Sequence, residues 1–549
     1  MTLFVRRCAL AAAAALPSLL PALLPAQRPA ETPVAQNAMA KPIAQDQWPA
    51  WVRRAPVTDP TLLRIMDEGM QRSQAGALAQ VLTDSIGPRL SGSPGFTAAG
   101  DWLVKKYKEW GVPAKKEQWG TFSGFKRGVT HVDLVAPRTR TLEATMLAWS
   151  PATKGAVIGE VVVLPQFESG DAAHAWLQNT RGKFVMINAP NISCRSPQQL
   201  AEFATPATLA ALRSAQDSIR ISFNNRNVAA AGLQDSLKLY GAAGVVTFGW
   251  SNYPGINKVF GTPRQQVPTF DLSCEDYGLV YRLSSNNQGP KLKVQIESDF
   301  LGEQPVTNTL AEMKGSGATA SQYVMLSAHL DSWEAASGAT DNATGTVTML
   351  EAMRILKSIG YKPKRTIIAA HWGGEEQGLN GSRSYVKDHP EVVAGLQALF
   401  NQDNGTGRIV GMSASGLVSA DTALRGYLAQ LPSELSQWIR YGGVGTPGTG
   451  GTDHVSFTCA GAPGFGLGAL GWDYGSTTWH TNRDTFDKII VDDLKQNATL
   501  VAMLIYLASE DPVFMPRVKL DPLPGGPNGA AGTWPVCVDG IRNSSGYRR

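Results

Sequence analysis

Apolar strand-like runs alternate with helix-like runs through the C-terminal half of the chain, and this alternation restricts the fold more than any other feature. After Ala311, "QYVMLSAHL" reads as a buried strand and "TGTVTMLEAMRILKSIGY" as a helix. "RTIIAAHWG" is a second strand, "SRSYVKDHPEVVAGL" a second helix and "ALFNQD" a third strand. "VDDLKQNATLVAMLIYLASE" closes the series as a long helix. Segments of these lengths in this order predict βαβ units. The fold class is therefore α/β, with a mixed, largely parallel sheet sandwiched by helices. Such sheets bind ligands at the carboxyl ends of their strands.

Those carboxyl ends carry acids and histidines. The first strand ends in His329-Leu330-Asp331, and residues two apart in extended chain face the same side. His329 is thus a candidate metal ligand, with Asp331 holding its imidazole. Asp341 follows in a loop of Gly, Ala and Thr, the second strand runs into Glu375-Glu376, the third ends at Asp403, and "STTWHTNRDTFDKI" supplies His480. Two adjacent carboxylates in one cleft repel each other, so burying the pair is costly unless a cation compensates. A metal ligand beside a general base gives the two glutamates distinct tasks. Two His, two Asp and one Glu suit zinc, with Asp341 available to bridge two ions.

The remainder of the chain sets the context. Residues 1–26 have a short basic region at Arg6 and Arg7, then an Ala/Leu run ending in "LPA". Pro17, Pro21 and Pro25 break that run, so it is read as a cleaved signal peptide. The expected location is secreted or periplasmic, with no stable membrane anchor after cleavage. Residues 27–58 are a Pro/Ala/Gln-rich lead-in. Residues 151–299 carry the short strands "GEVVVLP", "GKFVMINAP" and "GVVTFGW" and read as an independent α/β or β-rich module. Residues 59–150 and 300–512 would form one discontinuous domain, followed by a Pro/Gly-rich tail at 513–549. A formal charge of +5 without a basic run argues against nucleic acid as a partner. Cys194, Cys274, Cys459 and Cys537 lack zinc-ligand spacing. In an exported chain they suit disulfides, with Cys194–Cys274 the preferred pair.

Taken together, His329-x-Asp331, Asp341-Asn342, Glu375-Glu376, Asp403 and His480 resemble the ligand set of the secreted co-catalytic zinc aminopeptidases. "HLDSW", "GGEEQGLNGS", "GTDHVSF" and "IGPRLSGSPG" are similar to the carboxypeptidase Q branch, in which the 151–299 insert would be a protease-associated domain. The resemblance implies two Zn²⁺ bridged by Asp341, one also held by His329 and Asp403 and the other by Glu376 and His480. It further implies Glu375 as general base, Asp331 as the residue orienting His329, and a cis peptide at Asp341-Asn342. Many relatives place a tyrosine before the last histidine, where this chain has Trp479, so Tyr474 is a candidate to stabilise the oxyanion, with zinc alone as the alternative. His454 of "GTDH" is a second candidate for substrate contact. His131, His174, His371 and His389 are read as surface or packing residues.

The implied function is metallo-exopeptidase hydrolysis of peptides by a zinc-bound hydroxide, as an aminopeptidase or dipeptidase. The alternatives are a carboxypeptidase of the same fold and a non-catalytic, receptor-like binding ectodomain. Relatives of acetylornithine deacetylase insert about a hundred residues before the last histidine, the size of a small domain. Here Asp403 and His480 are 77 positions apart. Glutaminyl cyclases keep a single zinc set. An oligomer is possible.

Overall fold

The computed structural model describes residues 41–549, apart from 225, 227–229, 250, 252, 263–264, 404, 406, 526–531 and 548–549. The expected signal peptide lies outside the described residues. Strands are numbered β1 (Ala114–Ala136), β2 (Ala144–Met146), β3 (Val157–Val163), β4 (Phe184–Met186), β5 (Gly244–Thr247), β6 (Thr269–Leu272), β7 (Lys291–Met313), β8 (Tyr323–His329), β9 (Thr366–Trp372), β10 (Leu396–Gln402), β11 (Ile409–Met412) and β12 (Gly464–Ala469).

The predicted βαβ units form, and their strands β8, β9, β10 and β12 pair in parallel. Strands β3, β4, β5 and β6 make a second parallel block. The blocks are joined by β7, which runs antiparallel to β9 at Thr309–Met313 and antiparallel to β3 at Lys291–Val294. Along its whole length β7 also pairs with β1, from Ala114 opposite Ala311 to Ala136 opposite Lys291. The ribbon tolerates glycine because its backbones approach closely. A Cβ on Gly124 would lie 2.4 Å from Gln304 Cγ and 2.9 Å from the Gly302 oxygen.

Helix α1 (Thr344–Ser358) begins immediately after the Asp341 loop and is buried on every side from Thr344 to Leu356. It lies against the sheet beneath α4 (Val491–Glu510), as the all-round apolar character of "TVTMLEAMRIL" demands. The predicted second helix is two: α2 (Asn380–Asp388) and a turn at Pro390–Ala394. Proline lacks the N–H that a continuous helix would use and pushes the residue before it out of the helical region, leaving His389 at φ −122°, ψ 58°. A short helix, α3 (His454–Thr458), precedes β12.

The preferred disulfide Cys194–Cys274 is present, and Cys459–Cys537 forms as well. The second bond ties down the C-terminal segment, whose Arg542 carbonyl accepts from Thr121 N–H of β1 at 2.9 Å. The Asp341-Asn342 peptide is cis, as expected. Among the described residues no helix is long and apolar enough to cross a membrane.

Candidate metal centre

The carboxyl ends of β8, β9 and β10 bring the predicted residues into one cleft. His329, the last residue of β8, has Nε2 3.2 Å from Asp341 Oδ1 and 3.2 Å from Asp403 Oδ1. His480 Nε2 lies 3.1 Å from Asp341 Oδ2 and 2.9 Å from Glu376 Oε2. The two oxygens of Asp341 thus face different histidines, each with its own second carboxylate. Within each group, His329/Asp341/Asp403 and Asp341/Glu376/His480, the donor atoms lie within 4.8 Å of one another. The arrangement fits divalent cations chemically. Donors on a tetrahedral shell with bonds of about 2.1 Å sit roughly 3.4 Å apart, close to these spacings. Glu375 stands apart from both groups, 4.0 Å from His329 Nε2 and with its side chain 11% exposed.

Left to the protein's own charges, the cleft is strained. Burial raises the Glu375 carboxyl well above its usual range, and Asp403, Asp453 and Glu376 add to the rise against the pull of His329. Burial pushes Glu376 up to about 7, with Asp341 adding and His480 opposing. Burial works against the His480 cation too, yet Glu376 and Asp341 carry its pKa up to about 9. Asp341 is held below the usual carboxylate range, because hydrogen bonds to His329 and His480 outweigh its burial. Carboxylates crowded in this way require compensating positive charge.

Three further residues fix the cleft from behind. The expected contact between Asp331 and His329 is present, but the atom within hydrogen-bonding distance of Nδ1 is the Asp331 carbonyl, at 2.9 Å. The Asp331 carboxylate is 3.8 Å from that nitrogen and instead accepts the backbone N–H groups of Glu375 and Glu376, at 3.2 and 3.3 Å. Asp484 is buried. It accepts Thr340 N–H at 2.7 Å and Asp341 N–H at 3.1 Å, fixing the backbone of the Asp341 loop. Arg89, from "IGPRLSGSPG", is fully buried and donates to the carbonyls of Gly87, Leu330, Ser337 and Gly338 at 2.7–2.9 Å. Burial lowers its pKa to about 10 even though Asp484, Asp331 and Asp341 favour the cation. Arg89→Met should therefore cost on the order of 4 kcal/mol, since four carbonyls lose their donor, and a urea melt measures it.

Within this part of the chain, residues 308–505 match peptidase family M28. That segment belongs to peptidase family M28. The match supports a metallopeptidase, and the chain is similar to carboxypeptidase Q over most of its length. Carboxypeptidase Q of Pongo abelii is 26% identical over 442 residues, 80% of this chain and 85% of that protein. Among solved structures, a peptidase M28 precursor of Shewanella amazonensis superposes with a TM-score of 0.61 at 24% identity, covering 85% of this chain and 98% of its own. BSAP, a zinc aminopeptidase of Bacillus subtilis, gives 0.52 at 17% identity, over 80% and 94% of the two chains. Both share the fold: a largely parallel sheet flanked by helices.

The remaining predicted residues border the M28 centre without joining either donor group. Tyr474 packs its ring against Gly405, and its phenol is pushed well above 10 by burial and then by Asp341, Asp403 and Glu376. His454 has its ring between Gly448 and Gly466, and burial lowers its pKa to about 4. Asp453, which sequence reasoning passed over, is buried beside it and raised to about 7, chiefly by burial. His131 and His174 are surface residues paired with Asp133 and Tyr240, and His371 is buried against the Tyr107 hydroxyl at 2.7 Å. Asn342 and Asn380, each heading an N-x-S/T triplet, are fully buried and closed to glycans. His480 itself has a left-handed backbone, φ 55°, a conformation that costs a non-glycine residue about 1–3 kcal/mol.

Proposed function

We propose that the chain is an extracytoplasmic di-zinc exopeptidase acting on peptide ends, most simply as an aminopeptidase or dipeptidase. The observation that carries this reading is Asp341, whose two oxygens each face a separate histidine–carboxylate pair. His329, Asp341 and Asp403 would hold one zinc, and Asp341, Glu376 and His480 the other. Zinc bound there would polarise the scissile carbonyl and bring the pKa of a water towards ~7.

The protein's own groups do the rest. Glu375 takes the proton of the attacking water on its carboxylate and then delivers it to the leaving amine. The Asp331 carbonyl keeps the His329 proton on Nδ1, leaving Nε2 free to face the metal. The Asp331 carboxylate holds the Glu375-Glu376 turn by its N–H groups, so base and ligand cannot exchange roles. Tyr474, neutral at working pH, is the side chain to donate to the developing oxyanion in place of the tyrosine replaced by Trp479. Two disulfides support export.

The test is product analysis of one tetrapeptide supplied unblocked, N-acetylated and C-amidated to the zinc-loaded protein. Aminopeptidase activity predicts cleavage of the amidated peptide and none of the acetylated one. The reverse pattern assigns a carboxypeptidase, cleavage of a free dipeptide alone assigns a dipeptidase, and no cleavage of any of these peptides removes the exopeptidase reading.

A further inference from the structure

The two metal-facing histidines are held in place by different means. His329 has a hydrogen-bond acceptor on Nδ1, whereas Nδ1 of His480 is buried without a hydrogen-bond partner among the described residues. The usual device for orienting a ligating imidazole is thus missing at His480. Its ring is instead surrounded by Phe260, Trp333 and Trp479, with ring centroids at 4.9, 5.9 and 4.1 Å.

Phe260 belongs to the inserted segment between β5 and β6, and the residues around it grip the same loop by hydrogen bonds. Val259 N–H donates to the His480 carbonyl at 2.9 Å. The Lys258 ammonium donates to the Trp479 carbonyl at 2.6 Å and lies 4.7 Å over the Trp479 ring. Asn257 N–H donates to Asn482 Oδ1 at 2.9 Å, and Asn482 N–H returns a bond to the Asn257 carbonyl at 3.2 Å. The Arg483 guanidinium donates to the Gly255 carbonyl at 2.7 Å. Lys258 is only 2% exposed, and its own N–H is held at 3.2 Å by the buried carboxyl of Asp271 at the end of the insert's sheet. Both carbonyls flanking the left-handed turn at His480 are therefore capped by donors from the insert.

We propose that Asn257–Phe260 is a positioning element for the metal ligand His480, with Lys258 as its central residue. The insert would then complete one of the two metal positions of the M28 segment. This rests on the two-metal reading above. Without the Lys258 ammonium the Trp479 carbonyl loses this donor, the His480 backbone is held less firmly at φ 55°, and Nε2 shifts from Asp341 and Glu376. His329 and Asp403 make no hydrogen bond to Gly255–Phe260 among the described residues, so their position should keep its ion.

The experiment is zinc titration of the full chain against a competing chelator, with metal content read by mass spectrometry. Wild type should bind two equivalents. Lys258→Met should hold one at wild-type affinity and the other more weakly, on the order of 10–100-fold, and Lys258→Arg should recover part of the loss. Removal of a positive charge by itself would tighten cation binding, so the sign separates positioning from a field effect. Two unchanged affinities in Lys258→Met overturn the proposal, as does equal weakening of both. If Lys258→Met does not give a cooperative melt, Asn482→Ala is judged by the same pattern. Wild type binding fewer than two equivalents instead removes the two-metal reading, a failure visible before any variant is made.

Discussion

Glu375→Gln is expected to lower kcat/KM by about 10³–10⁴-fold, at the upper end of what a positioned general base contributes, while both zinc equivalents remain bound. The substitution keeps the size of the side chain and removes only its capacity to take a proton. Glu375 belongs to neither donor group, and its N–H remains tied to Asp331, so the turn that aims Glu376 is undisturbed. Stopped-flow assays paired with metal analysis give both readouts on one sample. Loss of a metal equivalent would make Glu375 a ligand, and near-normal turnover would make it a bystander.

Asp341→Asn should have a broader effect, with both equivalents lost and activity at background. Asp341 is common to the two donor groups, so loss of its charge is felt twice, whereas His329→Ala and His480→Ala each remove a ligand from one group. Thermal melts supply an independent measure. A ligand that binds the folded state at 100 times its Kd adds about 2.7 kcal/mol per site. Zinc should therefore raise the Tm of wild type, raise it less in each histidine variant, and leave Asp341→Asn unmoved. A zinc-dependent rise in Asp341→Asn equal to that of wild type would show that Asp341 is not shared.

Much of this centre is legible in sequence because the signals are local. Strand and helix periods locate β8, β9 and β10, and the acids and histidines that follow stand out against the apolar strands before them. The supporting residues give no such signal. Arg89 and Asp484 sit in turn-rich stretches, and their roles depend on which carbonyls and N–H groups fold against them. Lys258 meets the Trp479 carbonyl across a separation of 221 residues. The β1–β7 ribbon escaped for a related reason. Its glycines and charged residues suppress strand character, and each strand finds its partner more than 150 residues away. Pro390 was visible from the start, and its power to divide a helix is the one local signal the sequence reading left unused.

A single strand, β7, is held by β9 at one end and by β3 at the other, with β1 alongside it throughout. The β3–β6 block is therefore tied to the β8–β12 block by a continuous ladder, and the two cannot part as lid and body without breaking ladder hydrogen bonds. Relative motion of the two halves has to be carried by torsion of the ribbon, a stiff mode shared by every residue along it. On the exopeptidase reading proposed above, a frame of this stiffness would favour short, unfolded chain ends over folded polypeptides.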